Sequence, residues 1–456
     1  MSGRRREPAI LVGVSRRRGD DPEIEEHLEE LERLAETAGA VVVGRIVQDR
    51  GQVTPATLIR RGKVEDLKAL AGETRARLAI VDEDLSPAQV RNLEKETEIT
   101  VLDRSALILD IFARRARSRE ARTQVELAQL RYLLPRLTRQ WAHLSRQAGG
   151  IGQRGVGETQ LETDRRLIRR RIARLAADLA GIETERRERR KRRTGTPRVA
   201  LAGYTNAGKS TLLNRLTGAG TFVEDRLFAT LDPLVRRCEA PGGVAFLLID
   251  TVGFIRKLPH HLVASFRSTL EEAADADLVL HVVDAASPAI EDHLTTTRET
   301  LESLDLAERR MLLVLNKCDR VAPAVVERLL TIHPGALAVS ALSATDGARL
   351  RDAIVAALGA GQVEETVSIP ADEGGLLAAL CRLVRVTGTT ASGGRIEVRF
   401  RSRPEDRERV ARLLAAAGTE GPGAAGAGAA GAGAAGAGEA PVTGEAPVAE
   451  ERRSAS

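Results

Sequence analysis

The stretch GYTNAGKS, residues 203–210, decides the fold of the region around it. It has the form G-x-x-x-x-G-K-[ST], follows the apolar run RVALA and precedes the helical pattern TLLNRLTG. A glycine-rich turn between a strand and a helix presents backbone N–H groups to phosphate oxygens, with the lysine on the β and γ phosphates and the hydroxyl on Mg²⁺. The pattern predicts a P-loop, and an ordinary strand–helix turn is the competing interpretation.

Three short motifs follow the P-loop in the order that a guanine-nucleotide site requires. DTVG (250–253) ends a predicted strand, where Asp250 would bind Mg²⁺ through water and the Gly253 N–H would face the γ-phosphate. NKCD follows the apolar run MLLVL and ends at Asp319, which can accept two hydrogen bonds that guanine donates and adenine does not. SAL (340–342) would place a backbone N–H near the guanine carbonyl. In this order, the motifs indicate GTP rather than ATP.

The predicted nucleotide-binding residues come from these motifs and from the segment FATLDP, in which Thr230 is the expected switch threonine. They are Gly203, Tyr204, Thr205, Asn206, Ala207, Gly208, Lys209, Ser210, Thr211, Phe228, Ala229, Thr230, Asp250, Thr251, Val252, Gly253, Asn316, Lys317, Asp319, Ser340, Ala341 and Leu342. Ser210 and Thr230 are predicted to bind Mg²⁺ directly and Asp250 through water. Lys209, Thr230 and Gly253 are the predicted catalytic residues, and a surface-loop threonine is the alternative for Thr230.

The composition limits the classes of protein to consider. The chain has 456 residues, 43% of them hydrophobic and 29% charged, which is typical of a soluble globular protein with two to four domains. No apolar run is long enough to span a bilayer. Cys238, Cys318 and Cys381 are isolated, so they predict neither a disulfide framework nor a metal site. We expect a cytoplasmic monomer, with peripheral membrane association left open.

The order of apolar runs predicts the domain organisation. Alternating strand and helix patterns indicate an α/β N-terminal domain over 1–113, followed by a basic helical hairpin over 114–194. Short, near-continuous apolar runs over 195–360 indicate a GTPase domain with a parallel sheet. Residues 361–418 predict a small α+β unit, and the low-complexity tail 419–456 is expected to be disordered. The predicted fold class is therefore α/β.

The hairpin prediction depends on apolar residues spaced by three and four over residues 127–144 and again over 161–182. Pro135 should kink the first helix, and Thr159 with Glu162 has capping-box spacing for the start of the second. The glycine-rich segment GGIGQRGVGE (149–158) joins the two helices. It predicts either a flexible turn or a contact element, and the nearby arginine blocks suit an RNA backbone or a solvated helix face.

The same residues resemble a known family. FATLDP together with DTVGFIRKLP resembles the Obg–HflX superfamily of GTPases, and GGIGQRGVGETQLETDRR and LILDIFARRARSREARTQVELAQLRYLLPRL resemble the HflX family. The resemblance covers roughly residues 40–360. It implies a GTPase that binds the large ribosomal subunit near the peptidyl transferase centre and splits stalled ribosomes under stress. It also implies that the ribosome-contact residues are Gly149, Gly150, Gly152, Arg154, Gly155 and Gly157.

Phe254 follows DTVG, where the well-known small GTPases have a glutamine that orients the attacking water. The resemblance implies a hydrophobic residue here, so we expect slow intrinsic hydrolysis that the large ribosomal subunit stimulates. Asn206 suggests a K⁺ ion beside the β and γ phosphates, and a role in capping the loop is the alternative. A GTP-controlled switch that binds non-ribosomal RNA is the alternative function, and an ATP-dependent RNA remodeller is disfavoured by Asp319.

Overall fold

Four parallel strands form the first sheet of the computed structural model, in the order β2-β1-β3-β4. They are β1 (Glu7–Val14), β2 (Ala40–Gln48), β3 (Leu78–Val81) and β4 (Thr100–Asp103). In β1, Ala9 and Leu11 belong to one hydrophobic core while Ile10 and Val12 belong to another, because helices cover both faces of the sheet. The strand order reverses between β1 and β3, and such a point opens a crevice at the carboxyl ends of the strands.

The structure describes residues 6–15, 22–48, 53–137, 160–191, 196–218, 227–228, 230–232, 234–240, 244–257, 276–303, 309–360, 363–402, 404–417 and 423–424. These residues belong to two compact units, 1–360 and 361–456. No helix in the described ranges is long and apolar enough to cross a membrane. The glycine-rich segment and nearly all of the predicted disordered tail lie outside the described residues.

The four described helices of the N-terminal domain are α1 (Pro22–Ala38), α2 (Arg61–Thr74), α3 (Pro87–Thr97) and α4 (Arg104–Arg115). Two of them, α3 and α4, begin at a capping side chain. Ser86 accepts a hydrogen bond from the Gln89 N–H while the Gln89 side chain accepts one from the Ser86 N–H, so α3 begins with a full capping box. Asp103 caps α4 by accepting a single hydrogen bond from the Ala106 N–H. Helix α1 contains the acidic residues Glu23 and Glu25 in its first turn, where they are favourable for the helix dipole.

Two further helices, α5 (Arg119–Leu133) and α6 (Gln160–Lys191), form the helical pair that joins the two sheets of this unit. Arg171 of α6 binds Glu126 of α5 through two hydrogen bonds, of 2.7 and 2.9 Å. The predicted kink at Pro135 is wrong, because α5 ends at Leu133 and Pro135 lies in a 3₁₀ turn. Proline has no N–H for a helical hydrogen bond and its ring clashes with the preceding turn, so the helix stops.

The second sheet of the first unit has six strands in the order β10-β9-β8-β5-β7-β6. They are β5 (Arg198–Gly203), β6 (Leu234–Ala240), β7 (Val244–Asp250), β8 (Leu278–Asp284), β9 (Met311–Asn316) and β10 (Leu337–Ala338). All neighbours are parallel except β6 and β7. Helices α7 (Lys209–Thr217), α8 (Ile290–Glu302), α9 (Pro323–Ile332) and α10 (Ala344–Gly359) complete it. The carboxyl ends of β5, β7, β8 and β9 therefore meet at one edge.

The second unit is a small α+β fold, as predicted. Its elements are β11 (Val363–Pro370), α11 (Gly374–Leu383), β12 (Arg385–Ser392), β13 (Arg395–Ser402), α12 (Pro404–Ala416) and β14 (Gly423–Ala424). The sheet is antiparallel in the order β12-β13-β11-β14. Both helices pack on one face, where Leu380 and Leu414 meet Ile369 and Phe400.

Candidate nucleotide-binding site

The P-loop lies between β5 and α7, as the sequence predicts. Gly208, at the helix N-terminus, has φ +93°, and a Cβ there would lie 2.2 Å from Asn316 Nδ2, so only glycine fits. Asn316, from the predicted base-recognition motif, donates through the same nitrogen to the carbonyl of Ala207 at 2.8 Å. The motif at the end of β9 therefore braces the phosphate-binding loop directly.

Lys209 is buried at the start of α7. Its ammonium donates to the carbonyls of Gly203 at 2.9 Å and Tyr204 at 2.8 Å. Burial lowers the pKa of Lys209 to about 8, although the nearby Asp250 carboxylate opposes that change. The side chain lies at the position from which a P-loop lysine reaches the β and γ phosphates.

Three predicted Mg²⁺-binding side chains lie together. Ser210 Oγ donates to Asp250 Oδ2 at 2.6 Å, Thr230 Oγ1 donates to the same oxygen at 3.0 Å, and the two hydroxyls are 3.0 Å apart. Asp250 Oδ1 is buried and has no hydrogen-bond partner among the described residues. Burial raises the pKa of Asp250. Two hydroxyls and a carboxylate with one unpaired buried oxygen fit a hard divalent cation such as Mg²⁺.

Phe254 lies beneath the P-loop and does not face the phosphate positions. Its side chain is 2% exposed and packs with Ala200, Ala202, Val279 and other apolar residues. Its carbonyl accepts from the Thr205 N–H at 2.7 Å, and its own N–H donates to Gly203 at 3.1 Å. The ring is thus kept in the core, and its backbone fixes the segment after DTVG against the P-loop.

The residues predicted to recognise the base lie at the ends of β9 and β10. Asn316 accepts from the Ala341 N–H at 3.0 Å, which ties NKCD to SAL. Lys317 Nζ lies 2.7 Å from Asp284 Oδ2. Asp319 is exposed in a short 3₁₀ turn, and none of the described side chains is paired with it. A free carboxylate beside this loop has the chemistry to accept two hydrogen bonds from guanine.

The sequence did not reveal that α1 of the N-terminal domain borders this site. A cleft of about 240 Å³ is lined by P-loop residues 204–207, by Lys317, and by Glu26 and Glu30 of α1. The Tyr204 hydroxyl donates to Glu30, and the Tyr204 ring stacks on His293 with centroids 3.7 Å apart. Burial lowers the pKa of His293 to about 4, so this imidazole is neutral near pH 7.

A buried ionic network joins the N-terminal domain to the segment after DTVG. Arg104, 2% exposed, binds Glu30, lies 2.5 Å from Asp82 Oδ1 and donates to the Arg256 carbonyl at 3.1 Å. Lys257 Nζ lies 2.7 Å from Asp82 Oδ2 and 2.8 Å from a Glu83 carboxylate oxygen. Asp82 directly follows β3, at the crevice of the first sheet. The side chain of Lys257, from the segment after DTVG, therefore lies in that crevice.

The segment around Thr230 also contacts the N-terminal domain. Phe228 packs edge-on against Phe112 of α4, with ring centroids 4.7 Å apart, so its side chain does not line the cleft. The N–H groups of Arg117 and Ser118 donate to Asp232 Oδ2 at 3.1 and 3.2 Å. Both segments that would respond to the γ-phosphate are therefore packed against one neighbouring domain.

The structure brings the described P-loop, DTVG, NKCD and SAL residues to one edge of the sheet, with Thr230 beside them. Ala229 and the loop residues Gly149, Gly150, Gly152, Arg154, Gly155 and Gly157 lie outside the described residues. The roles of all the residues named above in binding the nucleotide or the ribosome remain predictions. The fold and the motif order define a P-loop GTPase.

Comparison with known proteins identifies the family. Residues 25–113 match the GTP-binding GTPase N-terminal family, residues 115–193 the GTP-binding GTPase middle region, and residues 198–317 the 50S ribosome-binding GTPase family. The chain is 50% identical to the GTPase HflX of Alkalihalophilus pseudofirmus over 82% of this chain and 88% of that protein. It is 43% identical to the GTPase HflX of Escherichia coli over 81% of this chain and 87% of that protein.

Among solved structures, the chain resembles a GTP-binding protein from Sulfolobus solfataricus in complex with GDP. The identity is 26%, the TM-score is 0.41, and the match covers 77% of this chain and 98% of that one. The relatives of 43–50% identity and the three family matches show that the chain belongs to the HflX family of GTPases. The expected family and fold class are thus confirmed, and GTP is the substrate.

Proposed function

We propose that this GTPase binds the large ribosomal subunit and uses GTP to split or rescue stalled ribosomes under stress. The observation that carries the proposal is the row of exposed arginines on α6 at positions 166, 170 and 174, with the exposed Arg169 beside it. These guanidinium groups suit RNA phosphates, which position a protein without reading sequence. The row begins soon after the glycine-rich segment, which has few side chains and would enter a narrow RNA-walled cavity. The match to a 50S ribosome-binding GTPase family supports the same partner.

In the proposed reaction, water attacks the γ-phosphate of GTP and releases phosphate. Lys209 would neutralise charge on the β and γ oxygens, and the Gly253 N–H would bind the γ-phosphate. Mg²⁺, held by Ser210 and Thr230 and through water by Asp250, would supply positive charge at the same oxygens. Because Phe254 is buried in the core, it leaves the water path open but cannot orient the water. We infer that the ribosome orders the residues around Thr230 and Gly253.

The exposed Asn206 supports a K⁺ site as a finer part of this proposal. It has φ +60° and lines the cleft beside the P-loop. An amide oxygen there would help hold a monovalent cation near the transferred phosphate, where positive charge stabilises the transition state. Turnover should then be faster in K⁺ than in Na⁺, and Asn206→Ala should remove that difference. Equal wild-type rates in the two salts would exclude the K⁺ site.

The main experiment measures GTP turnover with and without isolated large subunits in K⁺ buffer. Strong stimulation is expected, and its absence with tight GTP binding would favour the alternative, a GTP-controlled switch acting on non-ribosomal RNA. Deleting residues 150–157 should abolish ribosome splitting while the affinity for GTP stays unchanged. A deletion variant that still splits ribosomes would remove the glycine-rich segment from the proposal.

A further inference from the structure

Arg215 connects the phosphate-binding helix α7 to the loop SAL. Its Nε donates to the carbonyl of Ala341 at 2.9 Å, and its Nη2 donates to the carbonyl of Leu342 at 2.7 Å. The guanidinium group is planar and its donors form a rigid fork, so two bonds to successive carbonyls fix the orientation of both peptide groups.

These carbonyls matter because each belongs to a peptide group whose N–H lies on the opposite edge. In a trans peptide the C=O and N–H groups point in opposite directions. The Ala341 carbonyl therefore sets the direction of the Leu342 N–H, which donates to Ser340 Oγ at 3.2 Å. The Ala341 N–H is set separately by Asn316. Arg215 thus controls the half of the loop that Asn316 does not reach.

The neighbouring helix leaves room for the arginine stem. At Gly347 of α10, a Cβ would lie 2.9 Å from Arg215 Cγ and 3.2 Å from Arg215 Cδ. A side chain at position 347 would therefore push the stem away from its present path. The Ser340 N–H, in turn, donates to Asp346 at 3.0 Å, so α10 anchors the start of the loop while Arg215 anchors its end.

We propose that Arg215 is a positioning residue for guanine recognition: it orients the two peptide groups that contain the Ala341 and Leu342 carbonyls and so sets the affinity for guanine nucleotides without touching them. The proposal rests on the proposed role of the loop SAL beside the guanine carbonyl. Lys209 and Ser210 begin the same helix, α7. Arg215 therefore also links the loop SAL to the helix that carries the predicted phosphate-binding residues.

The first test compares the full-length Arg215→Ala and Arg215→Lys variants with wild type. Arg215→Ala should bind fluorescent GDP and GTP about tenfold more weakly, because two charged hydrogen bonds that order the loop are lost. The kcat at saturating GTP should stay at the wild-type value, since the phosphate side is intact. Arg215→Lys should recover part of the affinity, because an ammonium can bond one of the two carbonyls.

Arg351→Ala is the matched control. Arg351 also donates to a main-chain carbonyl, that of Leu216 at 3.4 Å, and does not contact the loop. It should leave GDP affinity unchanged. Gly347→Ala keeps the arginine but displaces its stem, so it should weaken GDP binding in the same direction as Arg215→Ala. If Arg215→Ala folds poorly, Gly347→Ala tests the same prediction in a chain that keeps the arginine.

A base analogue separates positioning from general structural damage. 2-Aminopurine riboside diphosphate has no carbonyl at C6, so Arg215→Ala should not change its affinity. Equal losses for GDP and this analogue, or wild-type GDP affinity in Arg215→Ala, would overturn the inference. Asp319→Ala tests the base site itself. If this variant binds GDP as tightly as wild type does, the proposed position of the base is wrong, which is a separate outcome from a failure of the role of Arg215.

Discussion

The Tyr204 hydroxyl, within the P-loop, donates a hydrogen bond to Glu30 of the N-terminal domain and accepts one from the Arg256 N–H at 2.8 Å. A single side chain thus joins the phosphate-binding loop, helix α1 and the segment after DTVG. Movement of any one of these segments must break or stretch a bond to Tyr204.

Replacing Tyr204 with phenylalanine should loosen the segment after DTVG. The Arg256 N–H loses its acceptor in a partly buried place, at a cost of about 1–3 kcal/mol. Hydrogen exchange of the amides at residues 254–257 should speed up in Tyr204→Phe. Tyr132→Phe is the control, because its hydroxyl, on α5, donates to Asp103 at the end of β4 at 2.8 Å. Equal protection of residues 254–257 in both variants would contradict the expectation.

Removing Arg104 should destabilise the first unit severely. Arg104→Leu leaves Glu30 and Asp82 without their buried guanidinium partner, and breaking such a pair costs about 3–5 kcal/mol. Thermal unfolding followed by circular dichroism should show a large fall in Tm. Arg61→Ala breaks the exposed pair with Glu65, which is worth about 0–1 kcal/mol, and should leave Tm nearly unchanged. Similar Tm changes in the two variants would argue against a buried network.

The affinity for GDP should fall as the pH rises above about 8. Burial holds the pKa of Lys209 at about 8, and bound phosphates would raise it. The protonated form that favours phosphate is therefore fully present below this pKa and is lost above it, which costs up to about tenfold in affinity per pH unit. Equilibrium binding between pH 6.5 and 9 checks this. Lys209→Arg stays charged and should show no such fall, whereas a flat wild-type profile would refute the assignment.

Asp319→Asn should change base preference. The amide can no longer accept both hydrogen bonds from guanine, so GDP affinity should fall by roughly 10²-fold or more, while xanthine, which presents a carbonyl in place of the amino group, should gain. Competition of GDP and xanthosine diphosphate against a fluorescent nucleotide measures both effects. Unchanged GDP affinity would place the base elsewhere.

Local sequence signals predicted which motif residues gather at one edge of the second sheet, because each motif follows a strand. The positive φ at position 208 requires glycine. The hydroxyls of Ser210 and Thr230 both lie within 3.0 Å of an Asp250 carboxylate oxygen, although the two residues are 20 positions apart in the chain. The order of parallel strands explains this, since their carboxyl ends gather at one edge of the sheet.

The contacts between domains were not predictable in the same way. Glu30 lies in an acidic amphipathic helix, where a buried glutamate looks like its solvated neighbours, and its partner Arg104 is 74 residues away. Lys257 pairs with Asp82 over 175 residues. Ion pairs between residues so far apart in the chain leave no periodic pattern in the sequence, so they are seen only in the three-dimensional structure. The end of α5 before Pro135 was also missed, because proline permits either a kink or a stop.

The length of α6 has a mechanical consequence. Its 32 residues span about 48 Å, and its C-terminal end lies only a few residues before β5 of the GTPase domain. A rotation of about 5° at that end would carry the opposite end through about 4 Å. The helix therefore has the geometry of a lever arm, in which a small displacement at the GTPase-domain end becomes a displacement of several ångström at the opposite end.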